Sequence, residues 1–108
     1  MIRDICKKLP GVTEGIKWEN DLCFMVAEKM FCVTNLSSPL TVSLKVKEDE
    51  FDELTAIPGI QPAPYLARYK WVLVTDTTKL TVKEWRHYIN QSYELVRLDL
   101  PASKRFKV

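Results

Sequence analysis

Between Pro58 and Val74 the chain reads PGIQPAPYLARYKWVLV, and no other stretch limits the possible folds so strongly. Three of the six prolines (Pro58, Pro62 and Pro64) fall within its first seven residues, followed by Tyr65, Tyr69 and Trp71. Proline fixes φ and pushes the residue before it out of the helical region, so the first half predicts a stiff, irregular connector. The second half, Lys70 to Val74, is β-branched and aromatic and predicts a strand. A helix cannot run through this segment, and whatever precedes it is joined rigidly to whatever follows.

Other elements follow from periodicity. Ile2 to Leu9 predicts a short amphipathic helix with Ile2, Ile5, Cys6 and Leu9 on one side, stopped by Pro10-Gly11. Thr13 to Asn20 contains a first strand, with Ile16 and Trp18 on one face. Leu22 to Val26 and Met30 to Val33 form a hairpin, and Leu40 to Val46 alternates as a half-buried strand. Glu48 to Ile57 is a helix with Phe51, Leu54 and Ile57 buried, and its acidic first turn suits a helix start. The last helix opens on a capping box, Thr81 with Glu84, and Leu80 is placed to staple against Trp85. Its apolar face carries Trp85, Tyr88, Ile89, Ser92, Tyr93, Val96 and Leu100. Pro101 ends it, and a basic tail runs from about residue 102. The order α-β-β-β-β-α-β-α predicts a single α+β domain over 1–108, a two-layer arrangement of a mostly antiparallel five-stranded sheet with helices packed on it.

The hairpin register depends on its turn. A two-residue turn pairs Phe24 with Phe31 and sets Cys23 opposite Cys32, whereas a longer loop at Ala27-Glu28-Lys29 shifts the register. In the two-residue register, Leu22, Phe24, Val26, Phe31 and Val33 share one face, and Cys23, Met25, Met30 and Cys32 the other. Both faces are then apolar, which predicts either cover on both, helices being the expected cover, or a contact surface on the Met/Cys side.

Several function classes lose their footing here. No apolar run approaches the ~18 residues of a membrane span, and MIRDICKKLPG has no apolar core of a secretory signal, so a cytoplasmic location is the expectation. Three cysteines without a CxxC pair, and one histidine, do not make a zinc site. The cysteines instead predict buried free thiols. The glycines are scattered, with no phosphate-cradling loop, and His87 has no motif linking it to Cys6, Cys23 or Cys32 as base to nucleophile. The expectation is therefore no enzyme, no metal and no cofactor. Residues 47–57 hold five acids and one base, while 58–108 hold nine bases and four acids. Such asymmetry permits a basic face and an anionic partner.

Several segments in order, LPGVTEGIKW, the hairpin CFMVAEKMFCV, FDEL, PGIQPAPYLARYKWV and SYELV, resemble the MmcQ/YjbR family from about Cys6 to Arg105. The resemblance implies an α+β, helix–sheet–helix plan described as a double wing, and a DNA-binding role. No catalytic residue set comes with it. The hairpin tip departs from the family pattern: Ala27-Glu28 stands where relatives are often glycine-rich, and a carboxylate at a wing tip repels phosphate. Phosphate binding calls for bases on one surface. The candidates are Lys17, Lys29, Lys45, Arg68, Lys70, Lys83 and Arg86, extended by Arg97, Lys104 and Arg105, with Tyr65 and Trp71 as stacking groups. Trp18 and Trp85 are assigned to the core. Weak, sequence-nonspecific DNA binding is the expected function. The rival is a non-catalytic protein-interaction or adaptor module, in which the Met/Cys hairpin face and the loop Pro62 to Leu66 receive a partner chain or a second copy.

Overall fold

The computed structural model describes residues 1–18 and 20–101. Six strands, not five, form one sheet: β1 (Val12–Lys17), β2 (Asp21–Val26), β3 (Lys29–Asn35), β4 (Val42–Lys45), β5 (Ile60–Pro62) and β6 (Trp71–Val74), in the spatial order β1-β2-β3-β4-β6-β5. Every neighbouring pair is antiparallel. The extra strand is β5, inside the proline-rich stretch. Proline is tolerated there because β5 is the outermost strand, where a missing N–H need not break a ladder. Gly59, at φ +95°, turns the chain out of α2 (Glu48–Thr55) into β5, and its carbonyl accepts from the Thr75 N–H at 2.8 Å. A side chain at Gly59 would meet the Asp76 Cβ at 3.0 Å as well as adopt a left-handed backbone.

All three helices cover the same face. The rows Leu22–Thr34–Val42–Val74–Ile60 and Phe24–Cys32–Leu44–Val72 run across the sheet in register. Most of their side chains are buried together with Ile2 and Cys6 of α1 (Ile2–Lys7), Leu54 of α2, and Trp85, Ile89, Tyr93 and Val96 of α3 (Val82–Leu98). Helix α3 starts as expected: the Thr81 N–H donates to Glu84 Oε1 at 2.9 Å, and the Glu84 N–H returns to Thr81 Oγ1 at 3.1 Å. Among the described residues no helix is long and apolar enough to cross a membrane.

The hairpin corrects the expected register. Its turn does have two residues, with Ala27 and Glu28 both left-handed (φ 48° and 69°), so Val26 pairs with Lys29 and Met25 with Met30. A bulge then makes Phe31 an extra residue: Phe24 pairs with Cys32, not Phe31, and Cys23 with Val33, not Cys32. The reason lies in the helix layer. The bulge turns two consecutive side chains, Phe31 and Cys32, into the core, where Phe31 meets Tyr93 edge-on at 5.4 Å. It also leaves the Phe31 carbonyl and the Lys45 N–H without a ladder bond to each other. Ser92 fills the gap, accepting from the Lys45 N–H at 3.0 Å and donating to the Phe31 carbonyl at 2.5 Å.

Other boundaries shift by a few residues. Helix α1 stops at Lys7, α2 at Thr55, and the expected strand Leu40 to Val46 shortens to Val42–Lys45, leaving Leu40 exposed. Ile16 and Trp18 are not buried: β1 is an edge strand, and both side chains are exposed. Outside the core, Arg3 of α1 grips Glu14 of β1 with two hydrogen bonds, 2.7 and 3.1 Å, and Lys7 adds a third at 3.4 Å.

Two outcomes are expected in urea titrations. Ser92→Ala leaves a part-buried N–H and a buried carbonyl unmatched and should cost about 1–3 kcal/mol. The hydrogen bond from Arg3 holds the Glu14 carboxyl below its ordinary range, so its contribution is present above the unfolded-state value and is lost as pH falls through the depressed folded value. Glu14→Gln should therefore lower the midpoint at neutral pH and narrow the gap between neutral and strongly acidic midpoints.

Candidate binding groove on the open sheet face

The sheet face away from the helices is built from the alternate residues of the same strands. Cys23, Val33, Ser43, Leu73 and Gln61 lie in one row across it. Helix cover, expected for the Met/Cys side, is not what this face receives. The proline-rich loop lies on it instead. The Ala63 N–H donates to the Trp71 carbonyl at 3.0 Å, and the Trp71 N–H to the Leu66 carbonyl at 3.3 Å, which ties both ends of the loop to β6. A single 3-10 turn at Ala67–Tyr69 then closes on Lys70, left-handed at φ 65°. Cys23, Ala63 and Trp71 are buried, yet they stand outside the helix-side core.

Between this loop and the sheet runs a groove of about 460 Å³, a volume within the range of ligand sites. Met30 and Val33 of β3 and Ser43 of β4 line it, with Ala63, Pro64, Tyr65 and Leu66 from the loop, Trp18 from the β1–β2 turn and Asp21 at the start of β2. Trp18 and Tyr65 reach it from opposite edges of the sheet. Both are exposed, 65% and 98%, and both have left-handed backbones, at φ 52° and 65°. Bulky side chains rarely adopt this region, and such strain persists where the surrounding structure imposes it, commonly at binding sites.

The expected basic surface is divided. Lys17 stands opposite Asp21 in register, hence on the open face. Lys45 is on that face too, with its ammonium donating to the Tyr69 carbonyl at 2.7 Å. Arg68 lies over the Tyr69 ring at 4.7 Å and donates to its hydroxyl at 2.7 Å. Lys70 turns instead toward α2, its ammonium 5.0 Å above the Phe51 ring. Lys83 and Arg86 are exposed on α3, in the other layer, where Arg97 pairs with Glu94 at 2.9 Å. Lys29 sits at the hairpin tip, five strand residues from the Lys17 end, roughly 17 Å. Lys104 and Arg105 lie outside the described residues. Trp71, at 6% exposure, is a packing residue under the loop, so stacking by it is ruled out without the loop opening.

Sequence reasoning missed Trp18, which it buried, and Asp21, which it did not single out. The Trp18 carbonyl accepts from the Asn20 N–H at 2.8 Å, and Asn-Asp at such a spot is turn chemistry that could have flagged an end of the strand before the tryptophan. Cys6, Cys23 and Cys32 are all buried and free, while His87 is exposed against Tyr88. Contact with Cys6, then burial, pushes the Cys32 thiol well up, and burial raises Cys23, which keeps both in the unreactive protonated form. Among the described residues no cluster of His, Cys, Asp or Glu fits a metal ion.

These features define a two-layer α+β domain with helices on one sheet face and a loop-edged groove on the other. The chain belongs to the YjbR family, whose model matches residues 7–95. It is similar over 98% of its length to protein DR2400 of Deinococcus radiodurans, a crystal structure with a DUF419 domain, at 28% identity and a TM-score of 0.87, covering 83% of that chain. A protein from Pseudomonas syringae shares the fold at 21% identity and a TM-score of 0.69, over 85% of this chain and 92% of that one. No functionally curated protein matches.

Tyr65 in the loop and Trp71 beneath it should separate in a denaturation experiment. Trp71→Ala removes a buried ring and should cost about 3–5 kcal/mol. Tyr65→Gly relieves a left-handed backbone at an exposed site and should leave stability within about 0.5 kcal/mol of the parent.

Proposed function

We propose that this YjbR-family domain is a non-catalytic nucleic-acid-binding domain that takes a single DNA strand across its open sheet face. The observation that carries the reading is the pair Trp18 and Tyr65: two exposed aromatics, both in left-handed backbone, at the margins of one groove. Single strands are held by aromatic faces on which bases stack, together with cations that track the phosphates. Lys17 and Lys45 supply cations on this face, and Arg68 adds one from the 3-10 turn that closes the loop. Duplex binding has weaker support, because Lys83 and Arg86 belong to the other layer and the exposed hairpin tip presents Glu28 beside Lys29. Stacking and phosphate contacts carry little sequence information, so these two contributions by themselves give weak, nearly sequence-independent binding.

The apolar groove wall of Met30, Val33, Ala63 and Leu66 supports a second reading, a module for an apolar protein segment. Salt separates the two. Fluorescence anisotropy with a labelled single strand should show saturable binding whose log–log salt slope is about −2, from three phosphate contacts at about −0.7 each. Tyr65→Ala should weaken it roughly tenfold or more, and Lys83→Ala and Arg86→Ala should leave it unchanged. Absence of binding at about 50 mM salt would reject the nucleic-acid reading. Salt-indifferent binding of an apolar peptide would put the second in its place.

A further inference from the structure

Stacking alone treats the bases alike, but the groove is not chemically neutral. Among the described residues its side chains are apolar or aromatic except for Asp21 and Ser43. Asp21 begins β2 directly after the turn that projects Trp18, so its carboxylate and the exposed indole border the same end of the groove. Among the described residues the Asp21 carboxylate makes no hydrogen bond. Lys17, its cross-strand neighbour, forms no ion pair with it. Glu14, by contrast, is held by Arg3 and Lys7, and Glu94 by Arg97. An ionised carboxylate only accepts hydrogen bonds, so Asp21 is an acceptor facing a groove otherwise short of polar groups.

We infer that this groove discriminates among bases: the base stacked on Trp18 is one carrying an exocyclic amino group, such as cytosine, in preference to thymine, because Asp21 accepts a hydrogen bond from that amino group. The inference rests on the reading that a single strand crosses this face. Cytosine offers its N4 amino donor where thymine offers the O4 acceptor. A carboxylate therefore gains a charge-assisted hydrogen bond from the first and meets an opposing lone pair from the second. The same negative charge repels phosphate. It leaves the base, not the phosphate, to enter the groove, with the backbone held by cations outside the lining.

The test compares labelled cytidine and thymidine deoxyoligonucleotides of about twelve residues, by anisotropy at neutral pH and about 50 mM salt. The parent chain should bind the cytidine strand roughly tenfold more tightly. Asp21→Asn keeps the shape, removes a charge and can raise both affinities; the readout is their ratio, which should fall to about one. Tyr65→Ala should weaken both strands and preserve the ratio, since it removes a stacking face and leaves Asp21 in place. Circular dichroism melts of each variant check that the fold is retained. Equal binding of the two strands by the parent, or a ratio that survives Asp21→Asn, would overturn the inference while leaving strand binding intact. Binding of neither strand would overturn both.

Discussion

One hydroxyl group holds the two layers in register. Where the bulge at Phe31 parts β3 from β4, the N–H of Lys45 and the carbonyl of Phe31 no longer meet, and Ser92 from the middle of α3 stands between them as donor and acceptor. Both backbone groups lie where an unmatched polar atom is costly, so sheet register and helix position determine each other. Two further bonds place the same helix along its length. The Trp85 indole donates to the Thr77 carbonyl at 3.1 Å, and the Tyr93 hydroxyl donates to the Pro10 carbonyl at 2.5 Å. A serine in an otherwise apolar helix face is thus a connector, and the bulge it completes is what lets Phe31 and Cys32 both enter the core.

The other side of the sheet is organised by rigidity of a different origin. Proline restricts the backbone of the loop, and hydrogen bonds to β6 close both its ends, so Tyr65 is held out by main-chain geometry with almost no packing of its own ring. Trp18 is held at the turn that joins β1 to β2. Neither residue contributes to the core. That is why the groove can have two large aromatic margins without the helix layer being involved.

Legibility from sequence tracked the range of the interactions. The capping box at Thr81 and Glu84 and the buried stripe of α3 were readable because each depends on residues within a turn or two. The exposure of Tyr65 was legible in Pro64 before it. The bulge was not, because its cause sits 61 residues away in Ser92. Strand β5 was hidden by its proline, whose meaning depends on being at the sheet edge. Strand alternation sets Trp18 beside Ile16 on one face, a pattern that says nothing of burial where an edge strand ends and the chain turns left-handed. The basic residues were visible individually, but their division between layers is a property of topology.

The sheet acts as a partition with residue parity as its rule. Along β3, Cys32 and Thr34 answer to the helices, while Val33 between them answers to the groove; along β4, Leu44 does the first and Ser43 the second. Inherited change at one set is felt as folding and at the other as the shape and chemistry of the groove, with little crossing between them. A lineage built on this plan can therefore reshape its groove while its interior stays almost still, one residue at a time, on every second position of the same strands.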